Sequence, residues 1–191
     1  MDADGVVMYP TESSYALGVN ALREIAISKI FKAKQRSLGK SIPVIVSDLR
    51  MWRKYAHLNE TAEILIREFM PGPLTLALRK KTSVPGLLNP FAIAARIPGH
   101  PVALALVKAA KYPITSTSAN VSGAPPVYSP KTAPRVLRSA TDLVLDAGTL
   151  RRRRPSTIVD FTIKGQPTVT RSGAISASAI LRVLARGGGE R

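Results

Sequence analysis

The sequence predicts an α/β domain with a mixed sheet and flanking helices. Short β-branched apolar runs alternate with segments of helical period, the connections between them are brief, and no internal repeat is present. With 45% hydrophobic residues in 191, the chain can bury one sizeable core, so residues 1–191 are expected to form a single domain.

The elements follow in order. Gly5 to Pro10, GVVMYP, predicts a strand stopped by its proline. Ile27, Ile30 and Phe31 share one face of a helix over Ile25 to Lys34, and Ile42 to Val46 is a short β-branched strand. Asn59 is the expected N-cap of a helix through Ala62, Leu65, Ile66 and Phe69, ended by MPGP. Leu74 to Arg79 alternates as a half-buried strand, and FAIAARIP gives another, ending at Pro98. Pro101 opens a helix through Leu104, Leu106 and Val107. PITST predicts a short strand, and SANVSGAPP a polar loop. Beyond them come a weak helix near Ala133 to Leu137, a strand at Leu143 to Leu145 and the basic run Arg151 to Arg154. TIVDF and PTVTR pair as strands joined by KG, and Ser176 caps a last helix through Ile180, Leu181 and Leu184. The tail, residues 185–191, is expected to fray.

Composition narrows the chemistry. Cys is absent, which excludes a disulfide framework, a thiolate nucleophile and any Cys-based metal centre. With two His, His57 and His100, a His-rich metal site is not expected. No apolar run approaches the roughly 20 residues that span a bilayer, and the first residues do not resemble a signal peptide, so a cytoplasmic protein without membrane contact is expected. Against 28 Lys+Arg stand 12 Asp+Glu, a formal charge of +16. A field of that sign attracts polyanions, and nucleic acid is the first partner it suggests. A generally basic or heat-adapted surface explains the same number.

The polar residues gather in loops at strand ends: PTESS, KQRSLGK, RIPGH, STSAN and RPST. If those ends converge, Lys34, Arg36, Lys40, Arg96 and Arg171 meet hydroxyls from Ser13, Ser116, Thr117, Ser118 and Ser156, a set suited to phosphate. Glu12 is the main carboxylate of these loops, which argues against a general acid–base pair. Each residue has a plainer role open to it. Lys34 and Arg36 suit the negative end of the preceding helix. Ser118 and Asn120 suit a turn or cap. Arg96 suits an ordinary ion pair, and His100 suits the start of a helix. Neither GxxxxGK[ST] nor GxGxxG occurs. From the residues alone, the domain binds an anionic small molecule, a nucleic acid, or both.

In order, YPTESSYALGVNA, KAKQRS, MPGPLTLALR, AARIPGHP, PITSTSANVSGAPP, PSTIVD and VTRSGA resemble the successive signatures of the YrdC family, the threonylcarbamoyl-AMP synthases. The likeness runs from about Val7 to Ala174. It implies a twisted open α/β sheet around a basic concave cavity. It also implies an enzyme, a nucleotidyltransferase that makes threonylcarbamoyl-AMP and pyrophosphate from ATP, L-threonine and bicarbonate. A downstream transferase complex then modifies the adenosine beside the tRNA anticodon. The family's catalytic tetrad falls on Lys34, Arg36, Ser118 and Asn120. By resemblance, Lys34, Arg36, Lys40, Ser118, Asn120 and Arg171 hold ATP, while Thr11, Ser13, Arg96, Ser116 and Ser156 hold threonine or the carbamoyl intermediate. Magnesium is expected with the nucleotide rather than in a protein metal site.

Family members carry a helix ahead of the first strand, whereas MDAD alone precedes Gly5 here, and the resemblance is to the short, single-domain form. The run Arg151 to Arg154 borders the family's cavity; it is read as a lid over phosphates, a tRNA contact or a solvated loop. A non-catalytic module binding structured RNA for tRNA or ribosome maturation is the alternative function.

Overall fold

The computed structural model describes residues 4–163 and 166–187. Among the described residues, ten strands and six helices alternate as the sequence predicts, but the strands divide into two mixed sheets. The smaller has the order β7-β2-β1-β8, with β1 Val7–Pro10, β2 Tyr15–Gly18, β7 Thr117–Ser118 and β8 Leu143–Val144. The larger has the order β10-β9-β4-β5-β3-β6, with β3 Val44–Ile45, β4 Leu74–Arg79, β5 Ala92–Arg96, β6 Ile114–Thr115, β9 Thr157–Asp160 and β10 Thr168–Arg171. Parallel pairs β4·β9 and β3·β5 lie among antiparallel ones in the larger sheet, as the parallel β1·β8 pair does in the smaller. Besides the connection from β2 to β3, which carries a helix, two segments cross between the sheets. One runs from β6 to β7 through Ser116, whose N–H donates to the Pro43 carbonyl at 2.7 Å. The other runs from β8 to β9 through Arg151 to Arg154.

Each helix buries the face its spacing defines. In α1, Glu24–Lys34, residues Ile27, Ile30, Phe31 and Lys34 recur every three or four positions and are all buried, so the helix carries Lys34 into the interior along with its apolar stripe. In α3, Glu60–Phe69, the Asn59 side chain accepts the Ala62 N–H at 2.8 Å, and Ala62, Leu65 and Ile66 are buried. Pro101 sits in the first turn of α4, Pro101–Ala110, with His100 Nδ1 accepting the Val102 N–H. α2, Leu49–Arg53, was not expected; Asp48 caps it by accepting the Met51 N–H at 2.7 Å. The helix placed near Ala133 to Leu137 is instead a 3-10 turn at Pro130–Thr132 followed by α5, Arg135–Ser139, because Pro134 interrupts the run.

α6, Ala177–Gly187, begins at Ser176, whose Oγ accepts the Ala179 N–H at 3.2 Å. It carries Ala185 and Arg186 in the helix rather than in a frayed tail, since Ile180 is fully buried and anchors it. The rest of that tail, and the KG expected to join β9 and β10, lie outside the described residues. Among the described residues, no helix is long and apolar enough to cross a membrane.

Candidate functional site

The end of α1 is built by its own backbone. Gln35 takes a left-handed conformation, φ 49° and ψ 45°, its N–H bonds the Lys32 carbonyl, and the Arg36 N–H reaches the Phe31 carbonyl at 3.0 Å. That pair of bonds is a Schellman ending, which stops the helix and sends the next residue away from its axis. Lys34 thereby stays inside while Arg36 turns out. Lys34 is 1% exposed, and its ammonium donates to the Ser118 carbonyl, to the Asn120 carbonyl at 2.7 Å and to Asn120 Oδ1 at 3.0 Å. Ser118 Oγ donates to Asn120 Oδ1 at 2.5 Å, and Asn120 Nδ2 donates to the Ala124 carbonyl. Two stretches some 84 residues apart are thus tied at one ammonium. Burial, and then the Arg36 guanidinium, press the Lys34 pKa down to about 8.

In front of this cluster opens a cleft of about 510 Å³ where the two sheets meet. Four guanidiniums line it, from Arg36, Arg96, Arg153 and Arg171, with the hydroxyl residues Thr11, Ser13, Ser14, Ser41, Ser116, Thr117, Ser118, Ser156 and Tyr128. No carboxylate is among the lining residues. Arg96, at the end of β5, is 8% exposed; its Nη2 donates to Ser116 Oγ at 3.0 Å, and Glu12 Oε2 stands 4.0 Å away. Its Nε is buried and donates to no acceptor among the described residues. A buried guanidinium N–H without an acceptor is costly, and a bound anion would satisfy it. The other oxygen of Glu12 is engaged by the Gly99 N–H at 2.5 Å.

Arg171, from β10, donates through Nε and Nη2 to the Ser156 carbonyl at 3.0 and 2.9 Å and through Nη2 to Ser156 Oγ at 2.8 Å. Ser156 Oγ also meets Thr75 Oγ1 at 2.8 Å. Burial, with the neighbouring Arg96 charge second, pushes the Arg171 pKa down. Arg36 Nη2 donates to the Ser41 carbonyl at 2.8 Å. The site can therefore hold more than one anionic group: a sheltered one on the floor at Arg96, and others nearer solvent at Arg36, Arg171 and Arg153.

Nine of the twelve residues singled out from the sequence line this cleft: Thr11, Ser13, Arg36, Arg96, Ser116, Thr117, Ser118, Ser156 and Arg171. Lys34 and Asn120 stand behind the lining, bonded to each other, and Lys40 is exposed outside it. The plainer readings hold in part as well, since Ser118 and Asn120 do shape a turn and Arg96 does face Glu12. Sequence reasoning did not assign Ser14, Ser41 or Tyr128 to the site, and it placed Arg153 only within the run Arg151 to Arg154, read as a phosphate lid, a tRNA contact or a solvated loop. Ser14 was visible as the last residue of PTESS, but nothing in RRRR distinguishes Arg153 from its neighbours. Among the described residues, no group of three or more His, Cys, Asp or Glu could hold a metal ion.

A family model described as "Telomere recombination", Sua5/YciO/YrdC, matches residues 1–173. The chain is 34% identical over 182 residues to the threonylcarbamoyl-AMP synthase of Pyrococcus abyssi, an alignment covering 94% of this chain and 53% of that protein. It is 35% identical over 157 residues to the putative threonylcarbamoyl-AMP synthase of Methanocaldococcus jannaschii, covering 81% of this chain and 73% of that one. The crystal structure of Pyrococcus abyssi Sua5 complexed with L-threonine superposes with a TM-score of 0.89 at 33% identity, over 95% of this chain and 54% of the other. The chain thus spans about half the length of its Pyrococcus abyssi relative.

Proposed function

The chain belongs to the Sua5/YciO/YrdC family, and from that membership we propose that it is a threonylcarbamoyl-AMP synthase, joining L-threonine, bicarbonate and ATP with release of pyrophosphate. The observation that carries this reading is the Arg96 guanidinium on the floor of a carboxylate-free cleft, its buried Nε without an acceptor among the described residues. A planar guanidinium with spare N–H groups suits a carboxylate, and threonine supplies one. Ser116, Ser156, Thr11 and Ser13 lie around it for the amino acid's hydroxyl and amine. Arg36 and Arg171 take the phosphates, while Lys34 and Asn120 fix the loop that carries Ser118.

The chemistry suits a site with no protein nucleophile. The threonine amine attacks the carbon of CO2 formed from bicarbonate and loses a proton, giving a carbamate. A carbamate oxygen then attacks the α-phosphorus, the bond to the β-phosphate oxygen breaks, and pyrophosphate leaves. The protein contributes alignment, which removes on the order of 7–11 kcal/mol of barrier when geometry is good, and fixed cations for the charge that builds at phosphorus. The product's mixed anhydride suits a later transfer to the tRNA adenosine.

The test is pyrophosphate release by the pure protein with ATP, magnesium and bicarbonate, with and without L-threonine. Release that depends on threonine is expected. Release indifferent to threonine, or none at all, defeats the proposal.

A further inference from the structure

Of the four consecutive arginines, one reaches the cleft. Arg151 and Arg154 are exposed and lie outside its lining. The Arg152 guanidinium stacks over the Tyr128 ring, 5.3 Å from its centroid. Arg153 lines the cleft beside Tyr128 and, among the described residues, has no hydrogen-bond or ion-pair partner. The other three cleft guanidiniums are engaged: Arg36 by the Ser41 carbonyl, Arg96 by Ser116 and Arg171 by Ser156.

The segment that carries Arg153 is held on both sides. The Tyr15 hydroxyl donates to the Gly148 carbonyl at 2.8 Å and accepts the Ala147 N–H at 2.9 Å. The Leu150 N–H donates to the Tyr128 carbonyl at 2.8 Å. Past Arg153, the Pro155 carbonyl accepts the Ala174 N–H at 2.8 Å. An exposed basic run would ordinarily be solvated, but here the flanking backbone bonds and the Arg152 stack hold the segment so that Arg153 lies along the cleft wall.

We propose that Arg153 is a further nucleotide-binding residue of this cleft, taking the β- and γ-phosphates at its rim. The inference rests on the synthase reading and goes beyond it to one uncommitted cation. Arg96, Ser116 and Ser156 on the floor are less than a tenth exposed, whereas Arg153 is exposed. The polyphosphate tail is the most charged and most strongly hydrated part of ATP, so it belongs at the solvent side of the cleft. The Lys34 ammonium is turned to protein oxygens and Lys40 stands outside the lining, which leaves the terminal phosphates short of a cation that Arg153 supplies.

Calorimetric titration of the wild type and Arg153→Ala with magnesium-ATP, and separately with AMP, tests this. ATP affinity is expected to fall about tenfold or more, the loss of one charge-assisted contact, while AMP affinity stays within about twofold. Arg154→Ala is expected to change neither, and unaltered melting temperatures confirm that all variants fold. Equal losses for ATP and AMP, or no loss for either, overturn the proposal, as does a variant that weakens only binding of a labelled RNA hairpin. Should pyrophosphate release prove independent of threonine, the synthase reading falls while the contrast between ATP and AMP still decides the role of Arg153.

Discussion

Replacing Lys34 by Met separates two roles for the buried ammonium. As a clamp it holds the Ser118 and Asn120 carbonyls and Asn120 Oδ1. Charge-assisted hydrogen bonds contribute about 1.5–3 kcal/mol each. Met also removes a buried charge, relieving a desolvation cost of several kcal/mol. Against that relief, the Asn120 carbonyl loses its donor in a largely buried place, and the Ser118 carbonyl and Asn120 Oδ1 each lose a charged donor and keep a neutral one, the Asn120 N–H and the Ser118 hydroxyl. Breaking a buried charged contact from one side costs about 3–5 kcal/mol, and with Met filling the volume the lower figure, about 3 kcal/mol, is expected. For a chain of this size that lowers Tm by roughly 6–12 °C. Thermal and urea unfolding measure the loss, with pyrophosphate release measured below the transition. A loss under about 1 kcal/mol together with a selective drop in ATP affinity would refute the clamp and make Lys34 a direct phosphate ligand.

Arg36→Ala is expected to lower kcat/KM by about 100-fold or more, as loss of a fixed cation at the reacting phosphate does, with stability changed by less than about 1 kcal/mol; steady-state kinetics and urea unfolding on one preparation check both. Gly173→Ala would place a Cβ 2.3 Å from the Pro155 carbonyl oxygen and 2.5 Å from the Thr157 nitrogen. That overlap should cost about 1–3 kcal/mol and disturb the Arg171 contacts to Ser156, and urea unfolding reads it directly. The Lys34 ammonium also sets a pH dependence. Folded, it releases its proton near pH 8, against an ordinary 10.5. Unfolding therefore takes up a proton between those values, and stability rises with pH across that window relative to Lys34→Met. Unfolding midpoints of the two proteins at pH 7.5 and 10 check the sign.

Local punctuation made parts of the fold legible. β4 matches the strand predicted at Leu74–Arg79 residue for residue, because PGP closes the preceding helix and Leu74, Leu76 and Leu78 alternate with Thr75 and Ala77, although the expected half-exposed face is absent, Thr75 and Ala77 being buried too. β2 passed unnoticed because Tyr15–Gly18 is four residues long and buried throughout, without the alternation that marks a half-buried strand. The division into two sheets was hidden for a different reason. It depends on strand pairs such as Tyr9 with Ala16 and Val44 with Ala95, and local pattern does not specify partners. At the site, residue types and loops could be read, because cations and hydroxyls near strand ends are visible in one dimension. Their division of labour could not, since helical spacing placed Lys34 on the inner face only once the Asn120 loop was seen against it. Arg153 needed the Arg152 stack on Tyr128 to be told apart from its neighbours.

A crystal structure of the protein with L-threonine and a non-hydrolysable ATP analogue tests the central claim most directly. The account predicts the threonine carboxylate within hydrogen-bond distance of Arg96 Nε and the polyphosphate beside Arg36 and Ser118. Threonine bound elsewhere, or a nucleotide lying outside the cleft between the sheets, would contradict it.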